Sequence, residues 1–167
     1  MVATYEPIAT TTLGSAASSI DFTSIPATFT DLRLVIIGSG STAGTAFYGF
    51  RFNNDSGSNY SVTEIRGNGS TAGSLRYTSE TQGYIDPASQ IPSSISFGTL
   101  DVFSYAGSTY KTSLATYSAD TNGSGLVEWS VNLWQSTSAI NQLTVITGGA
   151  ATFAAGTTAT LYGILKA

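Results

Sequence analysis

The chain is 167 residues long, 41% hydrophobic and only 10% charged, with no Cys, no His and a formal net charge of −4, which suits a single domain over 1–167 with a real core. Without Cys or His it has no disulfide staple, no zinc site of the usual kind and no Ser-His-Asp or Cys-His mechanism. Six Lys and Arg, scattered singly, offer no basic patch for a nucleic acid or an anionic membrane surface.

In chain order, MVATYEPIATTTL lacks the basic region and unbroken apolar stretch of a secretory leader. It opens a candidate strand over 4–13, followed by another over 18–22. Residues 31–37 read as a central strand, because Leu34, Val35, Ile36 and Ile37 are apolar without a break. That run is the longest of its kind and far too short to span a bilayer. Tyr48, Phe50 and Phe52 alternate with Gly49 and Arg51, the period of two expected of a half-buried strand. Further strands are expected over 59–66, 74–84, 94–105, 110–119, 126–134, 140–147 and 157–166. The clearest of them is 126–134. Its apolar residues Val127, Trp129, Val131 and Leu133 are assigned to the core. Glu128, Ser130 and Asn132 are assigned to solvent.

Gly, Ser, Asn and Pro punctuate these runs, and neither a helical period nor a heptad is present. The pattern is all-β: an antiparallel β-sandwich of roughly ten strands. One pentapeptide, GSTAG, occurs at 40–44 and again at 69–73. A duplicated hairpin would explain it, but two independent small-residue loops suit the composition better.

The stretch Asn53-Asn54-Asp55-Ser56-Gly57-Ser58-Asn59 invites a metal reading. Counted from Asn53, Asp55 is third and Glu64 twelfth, as in a calcium loop. The fifth position is Gly57, however, and the sixth, where glycine belongs, is Ser58. The residue types instead make a turn with side-chain caps, expected to join the 48–52 and 59–66 strands as a hairpin. Asn53, Asn54, Asp55, Gly57, Asn59 and Tyr60 form its polar tip, a candidate contact surface. A glycosidase would need two acids at one cleft. Glu64, Glu80, Asp86, Asp101, Asp120 and Glu128 are available, but no spacing pairs them and surface placement is the expectation. Ile37-Gly38-Ser39-Gly40 completes no phosphate-binding motif and precedes no helix. No cofactor or metal is expected. Tyr60, Tyr77, Tyr84, Tyr105, Tyr110 and Tyr117 suit strand packing first, and sugar stacking or a protein interface second.

Three blocks carry a family resemblance. YEPIATTTLGSAASSIDFTSIPATFTDLRLVI resembles the start of small structural proteins of tailed bacteriophages, cyanophages among them. RFNNDSGSNYS with EIRGNGSTAGS resembles a second block of those proteins, and ATLYGILKA resembles their closing strand. The blocks span most of the chain in order, and none is a catalytic motif. The resemblance implies a jelly-roll-like β-sandwich in the virion, with self-association as a trimer and contact with other virion proteins. It assigns no site residue. The expectation is a non-enzymatic, exposed appendage of tail- or neck-fibre type that touches host-surface carbohydrate. The alternatives are a capsid decoration or cement protein, favoured by the absence of a coiled-coil stalk, and a small carbohydrate-active enzyme.

Overall fold

The computed structural model describes residues 4–40, 47–86, 94–120, 122–149 and 151–165. Twelve strands run through them: β1 (Tyr5–Thr12), β2 (Ser19–Phe22), β3 (Asp31–Gly38), β4 (Tyr48–Phe52), β5 (Tyr60–Gly67), β6 (Ala72–Glu80), β7 (Gly83–Asp86), β8 (Ser96–Val102), β9 (Lys111–Asp120), β10 (Gly125–Trp134), β11 (Leu143–Thr147) and β12 (Thr158–Ile164). They form an eight-stranded sheet in the order β1-β12-β3-β8-β9-β10-β5-β6 and a four-stranded sheet in the order β2-β11-β4-β7. Every pairing is antiparallel. The molecule is an all-β, two-sheet antiparallel sandwich, as the alternation and punctuation predict.

The core lies between the two sheets, where β7 of the small sheet packs over β8, β9, β10 and β5 of the large one. Leu32, Leu34 and Ile36 of β3, Leu100 of β8 and Leu161 of β12 point inward and are buried. Phe22, Phe50, Phe52, Leu143 and Val145 oppose them from the small sheet. The Tyr48, Phe50, Phe52 alternation is therefore read correctly, and all three are buried. β3 is central, between β12 and β8. Its unbroken apolar run has a second cause, however: Ile37 points outward and is 47% exposed. Gly83 of β7 leaves room for its cross-strand neighbour in the small sheet, since a Cβ there would lie 2.2 Å from the Phe50 ring.

Three expectations need correction. The 53–59 turn is not a hairpin. β4 lies in the small sheet and β5 in the large one, so the turn is a corner between sheets. Asn53 and Asn54 both adopt left-handed backbone (φ 51° and 56°), which asparagine tolerates better than most residues. The single strand expected over 74–84 is two. β6 ends at Glu80, after Ser79 at φ 59°, and the chain crosses to β7 in the small sheet. Most consequentially, β10 is inverted. Glu128, Ser130 and Asn132 face the interior at 1–2% exposure, while Trp129 is 55% exposed.

The second GSTAG copy caps the β5–β6 hairpin, where Asn68 Oδ1 accepts from the backbone N–H of Ser70 and Thr71. Most of the first copy lies outside the described residues.

Candidate functional site

The inversion of β10 has a local cause. β7 is the outer strand of the small sheet and pairs only with β4, so one edge of its backbone lacks a ladder partner. Side chains of the large sheet supply one. Asn132 Oδ1 accepts from the Tyr84 N–H at 2.8 Å, and Asn132 Nδ2 donates to the Tyr84 carbonyl at 3.0 Å. Ser130 Oγ donates to the same carbonyl at 2.9 Å. These residues must point inward to reach β7. With a period of two, Glu128 goes inward with them and Val127, Trp129 and Val131 go out.

The interior is consequently polar at this end. Glu64 stands opposite Ser130 in the β5–β10 register and is fully buried, as is Asp86 of β7. Neither Glu64 carboxylate oxygen accepts a hydrogen bond among the described residues. Its nearest cation is Arg66, with Nη1 3.7 Å from Oε1. Burial pushes the Glu64 carboxyl above its ordinary range; Arg66 opposes the shift and the charge on Asp86 adds to it. Glu80 instead accepts a hydrogen bond from the Tyr84 hydroxyl at 2.9 Å. Tyr84 itself is pushed up to about 12, chiefly by burial. Glu64, Asp86 and Glu128 are thus not surface acids. They are enclosed between the sheets, which leaves a sugar ring no approach to their oxygens. Among the described residues no group of acids is arranged to hold a metal ion.

The Asn53–Tyr60 corner is a clamp. Asn53 Oδ1 accepts from the N–H of Asn141 and Gln142, and its Nδ2 donates to the Ala139 carbonyl at 2.8 Å. Asn54 exchanges hydrogen bonds with the Gln142 amide. Asp55 accepts from the Gly57 N–H at 2.8 Å, from Asn59 Nδ2 at 2.9 Å and from Trp134 Nε1 at 2.7 Å. Burial alone would raise its carboxyl, but these donors outweigh burial and hold it below the usual range. Tyr60 is buried, and its hydroxyl accepts from the Phe52 N–H at 3.0 Å. Of the six predicted contact residues, Asn54 and Gly57 are exposed, Asn53, Asp55 and Asn59 are half-buried, and Tyr60 is core. The Asp55 oxygens hold three donors, as a turn requires and a cation ligand does not.

The feature that sequence reasoning missed is the outer face of the large sheet. Trp129 stands opposite Ile65 on β5, and Val131 opposite Leu114 on β9. Val127, in the next row, is flanked by Gly67 and Ser118, and Phe97 pairs with Ile37 beyond. These apolar side chains are all exposed, Ile65 by 58%. The row through Val127 ends in Gly67 and Ala72, and their small size opens a trough of about 630 Å³ walled by Ile65, Val127 and Trp129. Large apolar side chains clustered in this way are uncommon on the surface of a monomer. The signal for it was the parity of Trp134, a large aromatic that shares its strand face with Glu128, Ser130 and Asn132.

No known family model, curated protein or solved structure matches this chain.

Proposed function

We propose that the chain is a non-enzymatic structural component of a tailed-phage virion, built as a jelly roll and carried as an exposed appendage of tail- or neck-fibre type. The observation that carries the structural reading is the apolar outer face, a surface suited to assembly rather than to a reaction. The jelly-roll assignment is supported by the nesting of the strands. β1 pairs with β12, β2 with β11, β3 with β8 and β4 with β7, as in a ribbon folded over and wound into two sheets. The β5–β6 and β9–β10 hairpins widen one of those sheets. The phage assignment rests on the three sequence blocks and their order along the chain.

In this reading the protein associates with itself and with other virion proteins through sheet faces. The rigid corner around Asn54 and Gly57 meets host-surface carbohydrate, because a loop already fixed by its own hydrogen bonds loses little freedom on binding. Capsid decoration is the second reading, favoured by the breadth of the apolar face, which runs from Ile37 on β3 to Ile65 on β5 and also fits a shell. Imaging of intact virions with the chain labelled separates them. Label on a tail or neck appendage is the expected result. A regular array over the capsid establishes decoration, and particles without label overturn both.

A further inference from the structure

We propose that the outer face of the eight-stranded sheet is a self-pairing surface whose occupant is a second copy of the same chain, packed face to face about a two-fold axis. The inference deepens the assembly reading of this face and specifies its partner.

Three observations select a second copy. The first is shape. A two-fold contact requires one patch to carry both a projection and the recess that receives it. Trp129 projects from β10, and beside it Gly67 and Ala72 floor the trough. A Cβ added at Gly67 would meet nothing nearer than the Thr71 carbonyl at 3.8 Å, so the recess is open. Projection and recess lie in adjacent rows of one sheet, so two copies related by a two-fold can each seat Trp129 in the other's trough.

The second is charge. The molecule carries −4 overall, and copies meeting through acidic surfaces would repel. On this face Asp101 is offset by Arg33, with 3.6 Å between them. Asp31 and Asp120 stand at strand ends, where Asp31 accepts from the Ser104 N–H and Asp120 from the Asn122 N–H. Arg76 of the edge strand β6 stands beyond Thr63 in the row of Val131 and donates to the Thr63 hydroxyl at 2.6 Å. Between these charges the face around Val127, Trp129 and Ile65 is uncharged, so it is where like copies can approach. A strongly charged partner would find no complement here.

The third is area. Seven large apolar side chains, Ile37, Ile65, Phe97, Leu114, Val127, Trp129 and Val131, are exposed across five strands of the face, a spread suited to the ~800 Å² that each partner gives to a standard specific interface. Flat sheet faces pack on one another with interdigitating side chains, as they do inside a sandwich. A self-complementary patch of this kind closes with two copies. The three-fold association implied by the family resemblance would need two different patches on each copy.

Sedimentation of the purified full chain over a dilution series tests this. The wild-type chain should be a dimer that dissociates on dilution. Trp129→Glu should raise its dissociation constant at least about tenfold, as loss of a central aromatic anchor does. Gly67→Leu fills the recess instead of removing the projection, and should weaken pairing similarly. Unchanged thermal melts of both variants as monomers would show that each still folds. A wild-type monomer at about 100 µM, above the affinity range of specific interfaces, overturns the pairing, as does a trimer or dimerisation indifferent to both substitutions. A chain located on the virion that stays monomeric in solution overturns the pairing alone and leaves the virion reading standing. A dimer absent from virions does the reverse.

Discussion

Two tryptophans five positions apart on β10 have opposite surroundings. Trp134 is 3% exposed, stacks on Tyr60 at 6.3 Å between ring centres and donates to Asp55. Trp129 packs against no such cage. Trp134→Ala should cost about 3–5 kcal/mol, the range for emptying a buried aromatic site. Trp129→Ala should cost less than about 1 kcal/mol of monomer stability. Urea unfolding of the two variants, run at concentrations where the chain is monomeric, checks both; equal losses would return Trp129 to the core. Glu64 makes a second prediction at this scale. Its folded carboxyl releases its proton at higher pH than the unfolded one, because burial disfavours the charge. Between those two values the folded state holds the extra proton, so stability falls as pH rises through the window and is fully present below it. Glu64→Gln removes the titration. Its melting temperature should match wild type near pH 4 and exceed it by a few degrees at about pH 8. A lower melting temperature at the higher pH would mean that the pairing with Arg66 outweighs the burial of the charge.

At the scale of elements, the decisive contact is between β10 and the edge of β7. Asn132→Ala deprives the Tyr84 N–H of its acceptor, while Ser130 still serves the carbonyl. The cost should be about 1–3 kcal/mol, that of a buried donor left unsatisfied. Hydrogen exchange gives the local readout: the Tyr84 amide should lose protection ahead of the amides of β3 and β8. Equal protection in the variant would show that β7 holds its edge without this bridge. The same contact explains what could be read from the sequence. Strand positions were legible because alternation and turn residues are local signals, and the Tyr48, Phe50, Phe52 strand was oriented correctly because its two faces differ in size and polarity in the usual sense. On β10 alternation was just as clear but its sign was not. Period two says that two faces differ; polarity normally says which is inside, and here the polar face is the buried one because β7 needs it. Sheet membership was illegible for a related reason. A turn rich in Asn, Asp and Gly fits a hairpin or a corner equally, and only the long-range pairing of β4 with β11 decides. The polar side chains expected to form a contact loop instead clamp the corner. The outer face was hidden because its residues were assigned to the core.

At the scale of the whole molecule, the nesting of strands governs how the fold is reached. The β5–β6 and β9–β10 hairpins join neighbours in sequence and can form early. The pairing of β1 with β12 brings Tyr5 to Ile164 and must close nearly the whole chain, an entropic cost met before its contacts contribute. β12 also lies between β1 and β3, so both of its neighbours come from the far end of the sequence. Docking of β12 should therefore follow the main barrier. Leu161 of β12 is fully buried, and Leu161→Ala should cost about 2–5 kcal/mol. Most of that loss should appear as faster unfolding, with refolding slowed by less than about a third of the free-energy change. Ala115→Gly, at a fully buried position of β9, tests the other half of the order and should slow refolding by the larger fraction of its own effect. Stopped-flow chevrons of the two variants decide between this sequence and one in which the termini meet first. In the latter case Leu161→Ala would slow refolding by nearly its full equilibrium cost.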